Sequence, residues 1–315
     1  MSIIVPIYNE EEVLPETYKR LTAVMQQFGE AYELVFVNDG SRDRSPYMLA
    51  ELCEQDKNVK FINFSRNFGH QPAITAGMDY ARGQAVVVID ADLQDPPELI
   101  LDMAAKWREG FDVVYGKRTK RKGETIFKKV TAKFYYRLLK SMTKVEIPTD
   151  TGDFRLIDRK VCNAMKRMPE RNRYVRGLVS WVGFKQTAVE YVRDERFAGE
   201  TKYPLRKMLK LAMDGITSFS YKPLKLATGL GFVFAIVSFI YLLVVIFLAL
   251  FTDTTISGWA SMMVVQLFST GVILIVLGII GEYVGRIFDE IKERPTYIVR
   301  ETIGFEETEE NSEEK

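Results

Sequence analysis

The stretch VVVIDADLQDPPELI, Val86–Ile100, starts as four apolar residues and then breaks into Asp90, Asp92, Asp95, a glutamine and two prolines. The apolar half reads as a buried strand, and the acids fall at its carboxyl end. Three carboxylates within six residues repel one another, so the turn calls for compensation. Asp90 and Asp92, pointing the same way, can hold an octahedral cation whose other positions are filled by water and substrate phosphate oxygens. Asp95 can instead begin the next helix, with Pro96 and Pro97 in its first turn. Outward from this strand, SIIVPIY (2–8), ELVFVND (33–39), VKFINFS (59–65), AVVVIDA (85–91) and DVVYGKR (112–118) read as strands. Residues 11–28, 43–55, 71–82 and 96–109 read as helices between and after them. This alternation predicts an α/β fold with a mostly parallel sheet, whose ligands sit at the carboxyl ends of the strands. Polar clusters fall at four of those ends: Asn9-Glu10, Asn38-Asp39-Gly40-Ser41, Ser65-Arg66-Asn67 and Asp90-Ala91-Asp92. Glycine-rich loops of the dinucleotide or P-loop kind are absent.

The chain has 315 residues and a net charge of +1, so whole-chain charge selects no partner. Locally, residues 117–144 carry eleven Lys or Arg against one acid, Glu124, while residues 301–314 are nearly all acidic or polar and read as a solvated, disordered end. Cys53 and Cys162 have no metal-ligand spacing and read as buried thiols of a reducing compartment. With a single histidine, His70, a metal site must be built from oxygen, which favours Mg²⁺ or Mn²⁺ over zinc. His70 itself can reach a donor or cap its helix.

No charge interrupts residues 226–252, and none occurs from Thr254 to Gly281. Each run is long enough for a hydrocarbon core of about 30 Å. Lys222 and Lys225 flank the first, Arg286, Lys292 and Arg294 follow the second, and the intervening loop has no Lys or Arg. The positive-inside rule then puts the N-terminal part and the tail in the cytoplasm. The segments TIFKKVTAKFYYRLLKSM (125–142) and PLRKMLKLAMDGITSFSYKP (204–223) read as basic amphipathic helices of the headgroup layer. The expected organisation is a nucleotide-binding domain at 1–203, a juxtamembrane helix at 204–225, membrane helices at 226–252 and 259–281, and a tail at 282–315.

Six blocks in order, VPIYNEE, VNDGSRD, SRNFGHQPAITAG, DADLQDPPE, GDFRLIDR and RFAGETKYPL, followed by the hairpin, resemble the family-2 glycosyltransferases of GT-A fold. The resemblance is to the polyprenyl-phosphate glycosyltransferases, which include bactoprenol glucosyltransferases and, more distantly, dolichol-phosphate mannose synthases. It implies that Pro6, Tyr8 and Glu10 line the base and ribose of a nucleotide sugar, with Asp39 also on the nucleoside. It implies that Asp90 sits by the ribose and metal, and that Asp92 and Gln94 bind the metal. Asp153 is the implied catalytic acid, either a base or an orienting group.

The implied acceptor is a polyprenyl phosphate, whose second pKa of about 6 leaves it largely dianionic at neutral pH. A strong base is then unnecessary, and Asp153 is expected to orient. Two anions must be held in line instead. Arg155 is the expected catalytic cation, and Arg118, Arg121, Arg176 and Lys202 are the expected acceptor-phosphate ligands. The expected reaction is inverting transfer of a hexose, glucose from UDP-glucose fitting the subtype best, at the inner membrane. The glycines of the second span point to a homo-oligomer, and no nucleic-acid partner is expected. Two other readings compete. A processive polysaccharide synthase would carry Gln-x-x-Arg-Trp, which is absent, and a non-catalytic nucleotide-sugar scaffold would be expected to lose Asp92 or the basic cluster.

Overall fold

The computed structural model describes residues 1–120, 148, 151–168, 170–171, 173–192, 220, 222–251 and 258–305. An eight-stranded sheet in the order β7-β5-β6-β4-β1-β2-β3-β8 forms its centre. The strands are β1 Ser2–Ile7, β2 Glu33–Asn38, β3 Val59–Phe64, β4 Ala85–Val88, β5 Val113–Lys120, β6 Thr151–Asp158, β7 Gln186–Val192 and β8 Val299–Ile303. β1 pairs in parallel with β2 and β4, β2 with β3, and β5 with β7. β6 is antiparallel to both β4 and β5, and β8 is antiparallel to β3. The expected mostly parallel α/β sheet is therefore present, with two antiparallel insertions.

Helices cover both faces. α1 Leu14–Phe28, α2 Ser45–Gln55 and α4 Leu99–Arg108 pack on one, where Leu14, Leu21, Leu49 and Met103 meet Ile3, Phe36 and Phe154. α3 His70–Tyr80, α5 Arg159–Lys166 and α6 Val175–Trp181 pack on the other, against Ile4, Val35, Val88 and Ile157. Strand alternation produces this division, since Ile3 and Ile4 project to opposite faces. Both faces are buried, so the central strands read as unbroken apolar runs. The crossovers through α1 and α2 lie on one face and the return through α3 on the other. The chain direction thus reverses between β1 and β4, the position at which open α/β sheets bind ligands. β1 stops pairing with β4 after Ile4, two residues before the buried Pro6, so the strands part there.

Two long helices follow. α7 Lys222–Phe251 and α8 Trp259–Ile291 are apolar and exposed along most of their length. They contain stretches, Lys222–Leu248 and Val264–Ile291, that suit a bilayer, and Phe234 meets Phe268 between them with ring centroids 5.4 Å apart. Tyr283 of α8 donates to the carbonyl of Ser220, just before α7, at 2.6 Å. α8 runs ten residues beyond the predicted span at 259–281. The chain then returns to the sheet. Residues 282–315 were expected to be a tail, yet they contribute β8, and Tyr297 stacks on Phe64 at 5.2 Å and donates to Asp79 at 2.9 Å. VRETI carries charges at an edge position and has no apolar run to announce it. The amphipathic segments at 125–142 and 204–219, and the acidic end from residue 306, lie outside the described residues.

Candidate active site

The loops after β1 and β2 are tied together by reciprocal bonds. The Asn9 amide donates to Ser41 Oγ at 2.9 Å, and Asn9 Oδ1 accepts from the Arg42 amide at 2.8 Å. Glu10 donates through its amide to Ser45 Oγ at 3.1 Å, and the Glu11 amide to Asp43 at 3.1 Å. The YNEE and NDGSRD motifs are thus one structural unit, with Ser41, Asp43 and Ser45 as its inner ties. Gly40 has φ +67°, and a Cβ there would lie 2.5 Å from the backbone of Arg66 and Asn67. Only glycine allows the third loop so close. Asp39, buried, accepts from the amides of Phe68 at 2.6 Å and Gly69 at 3.0 Å. Burial raises its pKa, and those amide bonds pull the other way. Pro6 is buried in β1, and Tyr8 stands 39% exposed at the strand end.

At the end of β4, Asp92 accepts from the amide of Gln94 at 3.1 Å, and Leu93 takes φ 54°. The turn is anchored to α1 by Thr17, whose hydroxyl donates to the Ala91 carbonyl at 2.8 Å. Asp90 is pushed up to about 6, first by burial and further by the charges of Asp153, Asp92 and Asp95, with His70 opposing. Repulsion within the turn thus adds to burial and is not the leading cause, and a bound cation would relieve it. Among the described residues no three His, Cys, Asp or Glu side chains converge as a ready metal cage. Asp90, Asp92 and Gln94 offer only oxygen-rich side chains at a partly open strand end. That set fits a hard divalent ion that shares its shell with substrate phosphates and water.

β6 brings the second half of the site. Because it runs antiparallel beside β4, with Arg155 opposite Val88, its N-terminal end meets the C-terminal end of β4. Asp153 and Arg155 project to the α3–α6 face with Ile157. Arg176, in the first turn of α6, clamps Asp153 through Nε at 2.7 Å and Nη2 at 3.0 Å, and donates through Nη1 to the Thr151 carbonyl at 3.2 Å. His70, the first residue of α3, places Nε2 3.2 Å from Asp153 Oδ2 and 3.5 Å from Asp90 Oδ1. Burial opposes ionisation of Asp153, but Arg176 and His70 hold its pKa well below the usual carboxylate range. Burial disfavours the His70 cation as well. The Asp153 hydrogen bond and the Asp90 charge outweigh it and raise the ring to about 9. Gln71 fastens the helices together, accepting from the Val175 amide at 2.9 Å. Arg155 is 4% exposed, donates through Nη2 to the Gly152 carbonyl at 2.9 Å, and is lowered to about 10 by burial. Its Nε is buried without a hydrogen-bond partner among the described residues.

One expectation is corrected. Asp95 is not a helix cap, because α4 begins at Leu99 with Glu98 in the capping position. It is fully buried on the α4 side of the sheet, where the Tyr191 hydroxyl donates to it and Arg118 lies 3.3 Å away. Arg118, expected to grip acceptor phosphate, lies beside Asp95 and donates to the Tyr191 hydroxyl, its side chain 11% exposed. A Cβ at Gly152 would collide with the Arg118 guanidinium, so the glycine of GDFRL keeps room for this cluster. Arg121 and Lys202 lie outside the described residues. The pattern left the tie between His70, Asp90 and Asp153 unread. Its one signal was the lone histidine after a glycine at a helix start.

An α/β sheet with an acidic turn at its topological switch point and an acid–arginine pair on the adjoining antiparallel strand is the GT-A glycosyltransferase fold. Residues 2–165 match glycosyl transferase family 2, and residues 222–287 match the GtrB C-terminal hairpin. The uncharacterized glycosyltransferase YkcC of Bacillus subtilis is 66% identical over 97% of this chain and 94% of its own. A prophage bactoprenol glucosyl transferase homolog of Escherichia coli is 42% identical over 95% of this chain and 98% of its own. The SfII prophage-derived bactoprenol glucosyl transferase of Shigella flexneri is 42% identical over 96% and 98%. The chain belongs to glycosyltransferase family 2 and is an enzyme of that family, with two apolar helices that associate it with a membrane.

Proposed function

We propose that this enzyme transfers a hexose, glucose from UDP-glucose, to a polyprenyl phosphate of the undecaprenyl kind, with inversion, on the cytoplasmic face of the inner membrane. The observation that carries the reading is the state of Asp153. Both its oxygens are taken by Arg176 and His70, so it is poorly placed to strip a proton from a hydroxyl. An acceptor that arrives already ionised needs no base, and a phosphate monoester is such an acceptor. Relatives named as bactoprenol glucosyl transferases, matched along nearly their whole length, support the same acceptor.

In this reading Pro6, Tyr8, Glu10 and Asp39 receive the nucleoside at the parted β1–β4 edge. Asp90, Asp92 and Gln94 hold Mg²⁺ or Mn²⁺, which when bound neutralises the departing diphosphate. Asp153 holds Arg176 in place, and the cations Arg176, Arg155, Arg121 and Lys202 gather the acceptor phosphate. Charge delocalised over a forked guanidinium suits that task. Attack comes from the face opposite the leaving group, so an α-linked donor gives a β-linked lipid sugar. The flanking cations of α7 and α8 support a cytoplasmic catalytic domain. Gly271, Gly278, Gly281 and Gly285 of α8 have nothing within 4 Å of an added Cβ, an open small-residue face that supports a homo-oligomer.

The test is incubation of the purified protein with radiolabelled nucleotide sugars and polyprenyl phosphate, followed by lipid extraction and NMR of the product's anomeric centre. A β-linked lipid sugar is expected. An α product would refute inversion, and label that never enters lipid would refute the acceptor.

A further inference from the structure

His70 stands where the two halves of the site meet. Its Nε2 lies 3.2 Å from Asp153 Oδ2, on the strand beside the arginines, and 3.5 Å from Asp90 Oδ1, in the acidic turn. The ring is not a helix cap, because Gly69 holds the capping position of α3 and no side chain caps it. Flanked by two carboxylates, Nε2 acts as a donor, and its single N–H is shared between them. The chain fixes the ring from both sides. Before it, the Phe68 and Gly69 amides donate to Asp39 at 2.6 and 3.0 Å, and Gly69 takes φ +111°, a turn that suits glycine. After it, Gln71 Oε1 accepts from the Val175 amide at 2.9 Å, one residue before Arg176. Ala73, Ile74 and Ala76 of the same helix are buried against the sheet. A ring held this way shifts from one acceptor to the other without leaving the site.

We propose that His70 is a positioning residue that couples the two half-sites, so that cation and nucleotide at Asp90 and acceptor phosphate at Arg176 each favour binding of the other. The cause is a competition for hydrogen bonds. Asp90, once engaged with a cation, competes less for the Nε2–H, and His70 then donates more fully to Asp153. Asp153 Oδ2, which also accepts from Arg176 Nη2 at 3.0 Å, is then satisfied by the histidine. Arg176 Nη2 is left to turn to a phosphate. In the other direction, a phosphate that takes donors from Arg176 leaves Asp153 drawing on His70, which frees Asp90 for the cation. Coupling of this kind is reciprocal in binding free energy. Direct charge works against it, since a UDP complex of one divalent cation keeps a net negative charge and repels phosphate. Favourable coupling therefore reports the shared donor. The inference rests on the proposed reading of Asp90 as a metal ligand and Arg176 as an acceptor ligand.

The test is isothermal titration calorimetry of the full chain in mild detergent. UDP with Mn²⁺ is titrated with and without farnesyl phosphate, a short polyprenyl phosphate, which is also titrated alone. For the wild type, farnesyl phosphate should tighten UDP binding about tenfold, within the usual range of coupling between sites. His70→Phe keeps the bulk of a ring but has no donor, and the tightening should vanish. His70→Gln places an amide nitrogen near the Nε2 position and should restore most of it, whereas the shorter His70→Asn should not. The Gln and Asn pair decides the matter even if the Phe variant fails to fold. Undiminished tightening in His70→Phe, or equal behaviour of the Gln and Asn variants, would overturn the role of His70. A wild type that binds each ligand without tightening would overturn it too, and would leave the reading of Asp90 and Arg176 standing. A wild type that fails to bind one of the ligands alone would sink that reading itself.

Discussion

Two carboxylate–guanidinium pairs stand on opposite faces of the same sheet, and their surroundings differ. Asp95 and Arg118 are 0% and 11% exposed and are closed over by Tyr191 on the α4 side. Asp153 and Arg176 are 6% and 22% exposed on the α3–α6 side, where His70 and Asp90 join them at 32% and 28%. The first pair is the more deeply buried of the two. The second stands at the strand ends beside the acidic turn, and its histidine bridges two carboxylates. Residue type does not separate the two pairs. Solvent access and the company of further titratable groups do.

The sharpest way to break this contrast is to remove the metal. EDTA should take transfer to background and Mg²⁺ or Mn²⁺ should restore it, while Asp92→Ala should stay inactive with an unchanged melting temperature. Full activity in EDTA would dissolve the distinction at its acidic end. Next, Arg118→Ala should take a cation from beside the buried Asp95 and cost about 3–5 kcal/mol of stability, measured by denaturant unfolding in detergent. Arg176→Ala should instead lower kcat by roughly 10–100-fold with nucleotide affinity nearly intact. Reversal of those two outcomes would exchange the roles of the clusters. Tyr191→Phe removes one donor to Asp95 and should cost about 1–3 kcal/mol, with kcat per folded molecule unaltered. The smallest effect belongs to Lys117→Ala. Its pair with Glu190 is 44% and 57% exposed, and its loss should change stability by less than about 1 kcal/mol.

The polar strand ends were largely legible because their signals are local. An apolar run that ends in DAD, NDGS or YNE needs only strand period and turn chemistry to be placed at a strand end. Asp95 misled because proximity to Pro96-Pro97 resembles a helix start, whereas its true partner, Tyr191, is 96 residues away. The contact of Arg118 with Asp95 went unread for the same reason, since the chain brings the two together across 23 residues. β8 escaped because an edge strand needs only one buried side and tolerates charges on the other.

What the sequence determines by itself is therefore the alternation of strands and helices, the acids delivered to the switch point, and two apolar runs long enough for a bilayer. These follow from periodicity and from the cost of burying charge, both expressed within a few neighbouring residues. The tertiary structure alone decides which arginine serves which aspartate, that His70 stands between Asp90 and Asp153, and that the chain beyond the hairpin returns to finish the sheet. Each of these joins side chains or strands brought together by crossovers, in the His70–Asp153 case across 83 residues. Their energies depend on burial and distance, which no local pattern encodes.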